Sequence, residues 1–339
     1  MQLSRYRRWG ILLGLLLFLF VLNLSLGSVK IPFGDIVRIL FGEAGSNAIY
    51  NDIIWDFRVT KALTCILAGS ALSIGGLQMQ TLFRNALAGP DVLGLSSGAS
   101  LVVSLLIMSQ AAGFSLFSDP SPWTLVIAAS LGAGGVFLMV LLIANRLRDN
   151  TSLLIIGLMI GAATASIVSV LQFLSKAEDQ QAYLLWTFGS LGSLSWIEIR
   201  ILFLVLVAGS LIGIFSVKSL NAWLLGDNYA RSIGIDISRS RLLIILSTAI
   251  LTGGVTAFCG PIAFVGLAVP HLTRLIIKTH NHRILLPGVM MSGAILMLFC
   301  DIVAQLPGST YVLPINAITA LIGAPVVIWI ILKAKRVSI

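Results

Sequence analysis

Residues 224–241 read LLGDNYARSIGIDISRSR, and five of these eighteen positions carry charge (Asp227, Arg231, Asp236, Arg239, Arg241) in a chain that is only 10% charged. Apolar blocks flank them, near 197–216 and 241–258. Each block is close to the roughly 20 residues that an α-helix needs to cross a bilayer core. The charged stretch therefore reads as a polar loop between two membrane crossings. Composition agrees: hydrophobic residues make up 58% of the sequence and mean hydropathy is +1.01, against roughly 45–50% apolar content in soluble domains. A β-barrel is excluded, because barrel strands alternate apolar and polar residues over short segments and these blocks are unbroken. The expected fold is all-α, a polytopic membrane protein whose 339 residues form one transmembrane domain of about ten crossings.

Further apolar blocks place the crossings near 9–27, 60–80, 92–110, 122–145, 152–174, 197–216, 241–258, 264–277, 284–304 and 314–332. The basic leader MQLSRYRRWG and the apolar run Ile11–Leu26 resemble a signal peptide. The run is longer than the usual h-region, and no small-x-small cleavage site follows, so it reads as the first crossing. With ten crossings both termini share one side. Arg5, Arg7, Arg8, Arg84, Arg146, Arg148, Lys218, Arg231, Arg239, Arg241, Arg274, Lys278, Arg283, Lys333, Lys335 and Arg336 all fall there, sixteen of the 22 basic residues. By the positive-inside rule that side is the cytoplasm. The net charge of +9 thus reflects membrane orientation; its dispersal over short loops argues against a nucleic-acid surface.

The opening loop is then the longest cytoplasmic connection. Its acidic start and late Gly234 suit a short helix with a C-cap, and two short helices against the membrane face are expected within about 217–240. The loop is either a solvated connector or a docking surface for a soluble partner. Glycine and proline concentrate at Asn85–Ser100 (NALAGPDVLGLSSGAS) and Phe258–Arg274 (FCGPIAFVGLAVPHLTR). The first enters its crossing from the cytoplasm and the second from outside. That is what an inverted repeat relating crossings two to five with seven to ten would produce, and broken segments at matching positions point to a transport pathway; the alternative is a coincidence of two Gly-Pro turns. Gly157, Gly161 and Ala165 recur every fourth residue in the fifth crossing, which permits close helix approach, whether for internal packing, a subunit interface or a pore wall. Asp301, inside an apolar stretch, would cost about 2.5–3.5 kcal/mol at a bilayer centre, so it is expected near the outer end or beside a buried partner.

Several chemistries are missing. Lys218-Ser219 and Lys278-Thr279 lack the preceding glycine of a phosphate loop, so ATP hydrolysis by that route is excluded. His280 and His282, at i and i+2, do not share a helix face, and no metal site is expected. Cys65, Cys259 and Cys300 lack metal or redox spacing and read as packing residues. No Ser/His/Asp or paired-carboxylate arrangement stands out.

The stretches LFRNALAGPDVLGLSSGAS, LGDNYARSIGID, GPIAFVGLAVPHLTRL, RILLPGVMMSGAILMLFCDIVAQ and LPINAITALIGAPVVIWIIL resemble, in order and spacing, the permease subunits of ABC importers for iron–siderophore, haem and cobalamin. The similarity runs from about Arg58 to Lys333. It implies a bacterial inner-membrane protein with ten crossings, paired with a second permease subunit, identical or a paralogue, around a central pathway. Two ATP-binding subunits lie beneath, carrying the ATP and Mg, and an extracytoplasmic substrate-binding protein lies above; no cofactor is expected in this chain. By resemblance, Leu225, Gly226, Asp227, Ala230, Arg231 and Gly234 form paired short helices that insert into the ATPase, which gives the polar loop its purpose. NTSLLIIG resembles the cytoplasmic gate and places Thr151 and Ser152 at the inner constriction. FRVTKALTCILAG matches a segment with two docking arginines, here Arg58 and Lys61, while a third docking arginine is replaced by Gln305. Lysine lacks arginine's bidentate fork, so this salt-bridge set departs from the pattern. The family's fifth and tenth crossings line the subunit interface, which favours that role for Gly157 and Gly161; Pro90, Gly94 and Pro270, in the two broken segments, are expected at the pathway or interface. The expected function is import of an iron(III)–siderophore complex by ATP-driven alternating access, with haem or cobalamin as the alternative cargo. An ion-coupled secondary transporter would need ionisable residues near mid-membrane, and apart from Asp301 and Arg274 none is seen.

Overall fold

The computed structural model describes residues 2–43, 45–108, 121–144, 150–305 and 312–335. Arg146, Arg148 and Arg336 of the basic side lie outside the described residues. The described residues form helices and no strands: α1 Gln2–Ser25, α2 Phe33–Leu40, α3 Ala48–Asp52, a π-helical turn Ile53–Val59, α4 Thr60–Leu82, a 3-10 turn Pro90–Leu93, α5 Leu95–Met108, α6 Pro122–Ala144, α7 Asn150–Leu174, α8 Ala177–Thr187, α9 Trp196–Phe215, α10 Val217–Trp223, α11 Asp227–Ser232, α12 Ile237–Cys259, α13 Val265–Ile277, α14 His282–Ala304 and α15 Ile315–Lys335. Among the described residues seven helical stretches are long and apolar enough to cross a membrane. Three shorter apolar helices, α5, α13 and the Ile315–Trp329 part of α15, occupy the other expected crossings.

Two boundaries differ from the sequence reading. The second crossing is a continuous 35-residue helix from Ala48, begun where the Asn47 side chain accepts from the Ile49 backbone N–H and carried through the π-helical turn. The seventh starts at Ile237, because the Asp236 carboxylate caps the helix by accepting from the Arg239 backbone N–H at 3.0 Å. Arg239 and Arg241 are therefore helical residues, not loop residues. Helices α2 and α8 were not expected.

Contacts between chain segments sort the helix ends into two sets. At one end Arg8 donates to the Ile277 carbonyl and Arg241 to the Ala144 carbonyl. At the other, Lys61 pairs with Asp301, Trp196 donates to Asp56 and Asn316 to the Thr187 carbonyl. The first set holds the loops that carry the basic excess, in agreement with ten alternating crossings.

The packing also repeats. Helix α4 packs on α14 as α12 packs on α6, and on α13 as α12 packs on α5. Helix α5 lies on α6 and α7 as α13 lies on α14 and α15. That correspondence, α4–α7 onto α12–α15, is the inverted repeat read from the two Gly-Pro segments. Each segment opens its short helix through a left-handed residue, Gly94 (φ 75°) before α5 and Phe264 (φ 67°) before α13.

Helix α4 is the axis of the bundle: every residue except Lys61, Leu63 and Ile66 is buried. Its small residues decide how closely its neighbours approach. A Cβ on Gly69 would collide with the backbone of Gly293 in α14, and one on Gly76 with the backbone of Gly266 in α13. Backbones in that contact admit nothing larger than hydrogen. Hydrogen bonds bind a third neighbour: Gln78 donates to Ser247 Oγ (2.8 Å) and accepts from Thr248 Oγ1 (2.9 Å), and Ser247 donates to the Gly209 carbonyl of α9. Cys65, Cys259 and Cys300 are buried free thiols, as expected of packing residues.

Replacing Gly69 by alanine overpacks the α4–α14 crossing and is expected to lower stability by about 1–3 kcal/mol. Gly134→Ala, at a position with open space around it, is the control. Thermal unfolding of the detergent-solubilised protein distinguishes them; equal midpoints would refute the crossing as a close backbone contact.

Candidate functional site

The polar loop folds as α10 and α11 joined through Gly226. Helix α11 ends in a hydrogen-bonded cap: the Ile235 backbone N–H donates to the Ala230 carbonyl and that of Gly234 to the Arg231 carbonyl, both at 3.0 Å. The pattern requires a left-handed residue after the helix, and Gly234 supplies it at φ 81°. Gly226, at φ 109°, breaks the chain before Asp227. Backbone geometry thus explains both glycines of the loop, and Asp236 caps the helix that follows.

The loop has two faces. Trp223, Ala230 (0% exposed) and Ile237 join Met79, Leu93, Leu153 and Ile244 in one apolar cluster, which seats α10 and α11 on the ends of α4, α7 and α12 and on the Pro90–Leu93 turn. Leu225 (65% exposed), Tyr229 (45%) and Ile233 (45%) point away from it. These three are spaced i, i+4 and i+8, and Arg231 and Gly234 are exposed beside them. The sequence reading counted Ala230 among contact residues; its burial makes it part of the seat instead. It missed Tyr229 and Ile233, although the four-residue spacing from Leu225 was visible in the sequence. The side chain of Asp227 lies outside the described part of the structure.

At the opposite end, Asp301 (4% exposed) sits in a closed polar cluster. Lys61 Nζ lies 3.2 Å from its Oδ2, and Asn23 Nδ2 and Gln305 Nε2 each donate to the same oxygen at 2.7 Å. This is the buried partner that the cost of an intramembrane carboxylate demanded. Arg58, 5% exposed, donates to the Leu24 carbonyl at 2.6 Å and to the Val29 carbonyl. Arg58 and Lys61, expected as outward docking cations, are both engaged inside the fold. They border an open pocket of about 410 Å³ with Gly192, Gln305 and Ser28.

Helix α7 carries the remaining assignments. Thr151 and Ser152 form its first turn at the basic end. Gly157 and Gly161 do not face outward: a side chain on Gly94 would press on the Gly157 carbonyl oxygen at 3.2 Å and the Gly161 nitrogen at 3.5 Å. They receive the tight turn that opens α5. Pro90 in turn packs against Gly266, and Pro270 is buried in α13. Within the subunit, Gly94 closes on Gly157 and Gly161 of α7, and Pro90 joins the first broken segment to the second at Gly266. The exposed face of α7 includes Ile155, Leu158, Met159, Ala162, Ala163, Ala165, Ser166, Ile167, Ser169, Val170, Phe173 and Leu174. Its serines donate back to their own helix, Ser166 to the Ala162 carbonyl and Ser169 to that of Ala165.

Comparison with known proteins gives one consistent answer. The FecCD transport family matches residues 15–333. The hemin transport system permease protein HmuU of Yersinia pestis is 32% identical over 329 residues, covering 96% of both chains. The vitamin B12 import system permease protein BtuC of Salmonella paratyphi A is 33% identical over 339 residues, covering 99% of this chain and 98% of that one. A solved structure of a metal-chelate type ABC transporter in an inward-facing conformation superposes with a TM-score of 0.83 at 28% identity, over 97% of this chain and 99% of that one.

Lys61→Met leaves Asp301 buried without its cation and is expected to destabilise the protein, toward the low side of the about 3–5 kcal/mol for breaking a buried pair. Adding Asp301→Asn should recover most of the loss. A double variant no more stable than Lys61→Met would show that the pair is not coupled.

Proposed function

The chain belongs to the FecCD transport family, and from that premise we propose that it carries an iron(III)–siderophore complex across the bacterial inner membrane by ATP-driven alternating access. It is a multi-pass membrane protein and an ABC importer permease, a transport subunit rather than an enzyme. In this reading the basic end and both termini face the cytoplasm. Two copies of the permease fold enclose the pathway, two ATP-binding subunits holding ATP and Mg sit beneath them, and a binding protein delivers cargo above.

The observation that carries the reading is the two-faced loop. Its inner face is seated on the helix ends, so a push on its outer face reaches α4, α7 and α12 without slack. Its outer face presents Leu225, Tyr229 and Ile233, large apolar groups that a partner would cover at the ATPase. Thr151 and Ser152, in the first turn of α7 beside this seat, are the proposed inner gate. The exposed face of α7 supports a chelated cargo: large apolar side chains, alanines and self-bonded serines can contact a bulky complex, but they offer no donors to replace the coordination shell of a bare cation. Haem and cobalamin satisfy the same argument, and the hemin and vitamin B12 permeases among the relatives make them the second reading. At the outer end, Arg58, Lys61 and Gln305 border the proposed docking site. An acidic group of the binding protein must compete there with Asp301 for Lys61.

Leu225→Glu and Ile233→Glu are expected to reduce uptake and cargo-stimulated ATP hydrolysis of the assembled complex at least tenfold at normal membrane levels. Ala230→Glu, inside the seat, should instead lower the amount of folded protein. Normal uptake in both surface variants would remove the coupling role. Uptake of radiolabelled ferric siderophore, haem and cobalamin in cells expressing the complete importer identifies the cargo; accumulation of haem or cobalamin alone would overturn the siderophore assignment.

A further inference from the structure

At the end of the bundle opposite the polar loop, the chain leaves α1 at Ser25 and re-forms as α2, Phe33–Leu40. Residues 33–41 read FGDIVRILF, and six of these nine are large and apolar. At about 100° per residue all six fall on one continuous arc, in the order Ile39, Ile36, Leu40, Phe33, Val37, Phe41. The protein covers only half of that arc. Ile36 and Ile39 are buried in the core cluster that includes Leu24 and Ile54, and Leu40 is half-buried. Phe33 is 58% exposed, Val37 37% and Phe41, at the C-cap, 84%. Exposed Arg38 lies beyond the open edge of the arc.

The direction of this open stripe is fixed by the protein. Buried Asp35 accepts from Ser46 Oγ at 2.6 Å and from the Ser46 backbone N–H at 3.3 Å, which ties α2 to the segment that leads into α3. Gly45 leaves room for Ile39, whose Cδ1 lies 2.7 Å from where a Cβ would stand. The neighbours say what covers the stripe. Helix α2 packs on α1, which is only 22% buried over its apolar window and exposes Leu13, Leu17, Phe18 and Val21, a face for lipid. The same end carries tryptophans, which favour the membrane–water boundary. Trp55 and Trp196 lie 6.3 Å apart, with the Trp196 indole N–H donating to Asp56, and Trp123 opens α6 against Phe258.

We propose that α2 is an interfacial anchor, lying in the headgroup layer of the leaflet at that end with Phe33, Val37 and Phe41 inserted among the lipids. An interfacial helix buries its apolar face about 5–10 Å into the boundary between headgroups and acyl chains, and Arg38 at its edge reaches the phosphates while its stem stays on apolar surface. A soluble partner that docks and leaves would return three large apolar groups to water in every cycle, whereas lipid covers them continuously and joins them to the lipid face of α1. The anchor has a second effect. The link from α1 to α2 carries Val29, whose carbonyl accepts from Arg58, and with Gly27 and Ser28 it walls the 410 Å³ pocket. Lipid that holds α2 thereby holds that wall. The inference does not depend on which cargo is carried or on which leaflet this end occupies.

The test uses the full chain in nanodiscs of phosphatidylethanolamine and phosphatidylglycerol, with nitroxide labels on Phe33→Cys, Val37→Cys, Phe41→Cys and Arg38→Cys. The native cysteines are buried, and Phe18→Cys on α1 sets the value for lipid. Power saturation is expected to show the first three more accessible to oxygen than to a water-soluble nickel complex, as at residue 18, and residue 38 the reverse. Aqueous access at any of the three would overturn the proposal and leave the stripe to a soluble partner. Phe33→Ser combined with Phe41→Ser keeps Ile36 and Ile39 in place and should raise amide hydrogen exchange across 36–40 at least tenfold in nanodiscs. Unchanged exchange would overturn it as well.

Discussion

Everything in this molecule hangs on how closely other helices approach α4. Lipid tails are as apolar as leucine, so burying leucine between helices gains little inside a membrane, and association must come from close packing and hydrogen bonds. Helix α4 provides both: bare glycine backbone against α14 and α13 at Gly69 and Gly76, and the Gln78 amide against α12. With that axis fixed, the repeat-related helices α12, α13 and α14 fall into place around it, and the broken segments at Pro90 and Gly266 meet beside its lower half.

Polar groups in the bundle follow the rule that an apolar solvent enforces. Asp301 brings its own cation and two amide donors, and Arg58 is placed against two carbonyls. Each arrangement joins segments far apart in sequence, so the groups most costly to bury are also the ties that close the end of the bundle opposite the polar loop, around α1, the start of α4 and α14.

The polar loop shows the complementary solution at the other end. In the proposed reading it transmits force, and such a segment must be rigid on one side and recognisable on the other. Ala230 and Trp223 make the first side and Leu225, Tyr229 and Ile233 the second, while Gly226 and Gly234 set the turns that hold the two faces apart. Its eighteen residues are thus polar in composition but not at their centre of contact.

Composition and block length alone determined the all-α membrane class and the ten crossings. The doubled Gly-Pro pattern announced the repeat, and Gly234 announced the cap of α11. Those features depend on residues within one turn or one crossing of each other, where sequence spacing is spatial spacing. Only the tertiary structure decided the direction of individual side chains. Lys61 turns to Asp301 because α14 lies against α4, Ala230 turns inward because the ends of α4 and α12 offer it an apolar seat, and Gly157 and Gly161 are occupied by the turn at Gly94. Each partner comes from a distant segment, and a helix whose residues are nearly all apolar carries no periodic signal to say which of its faces will meet protein and which will meet lipid.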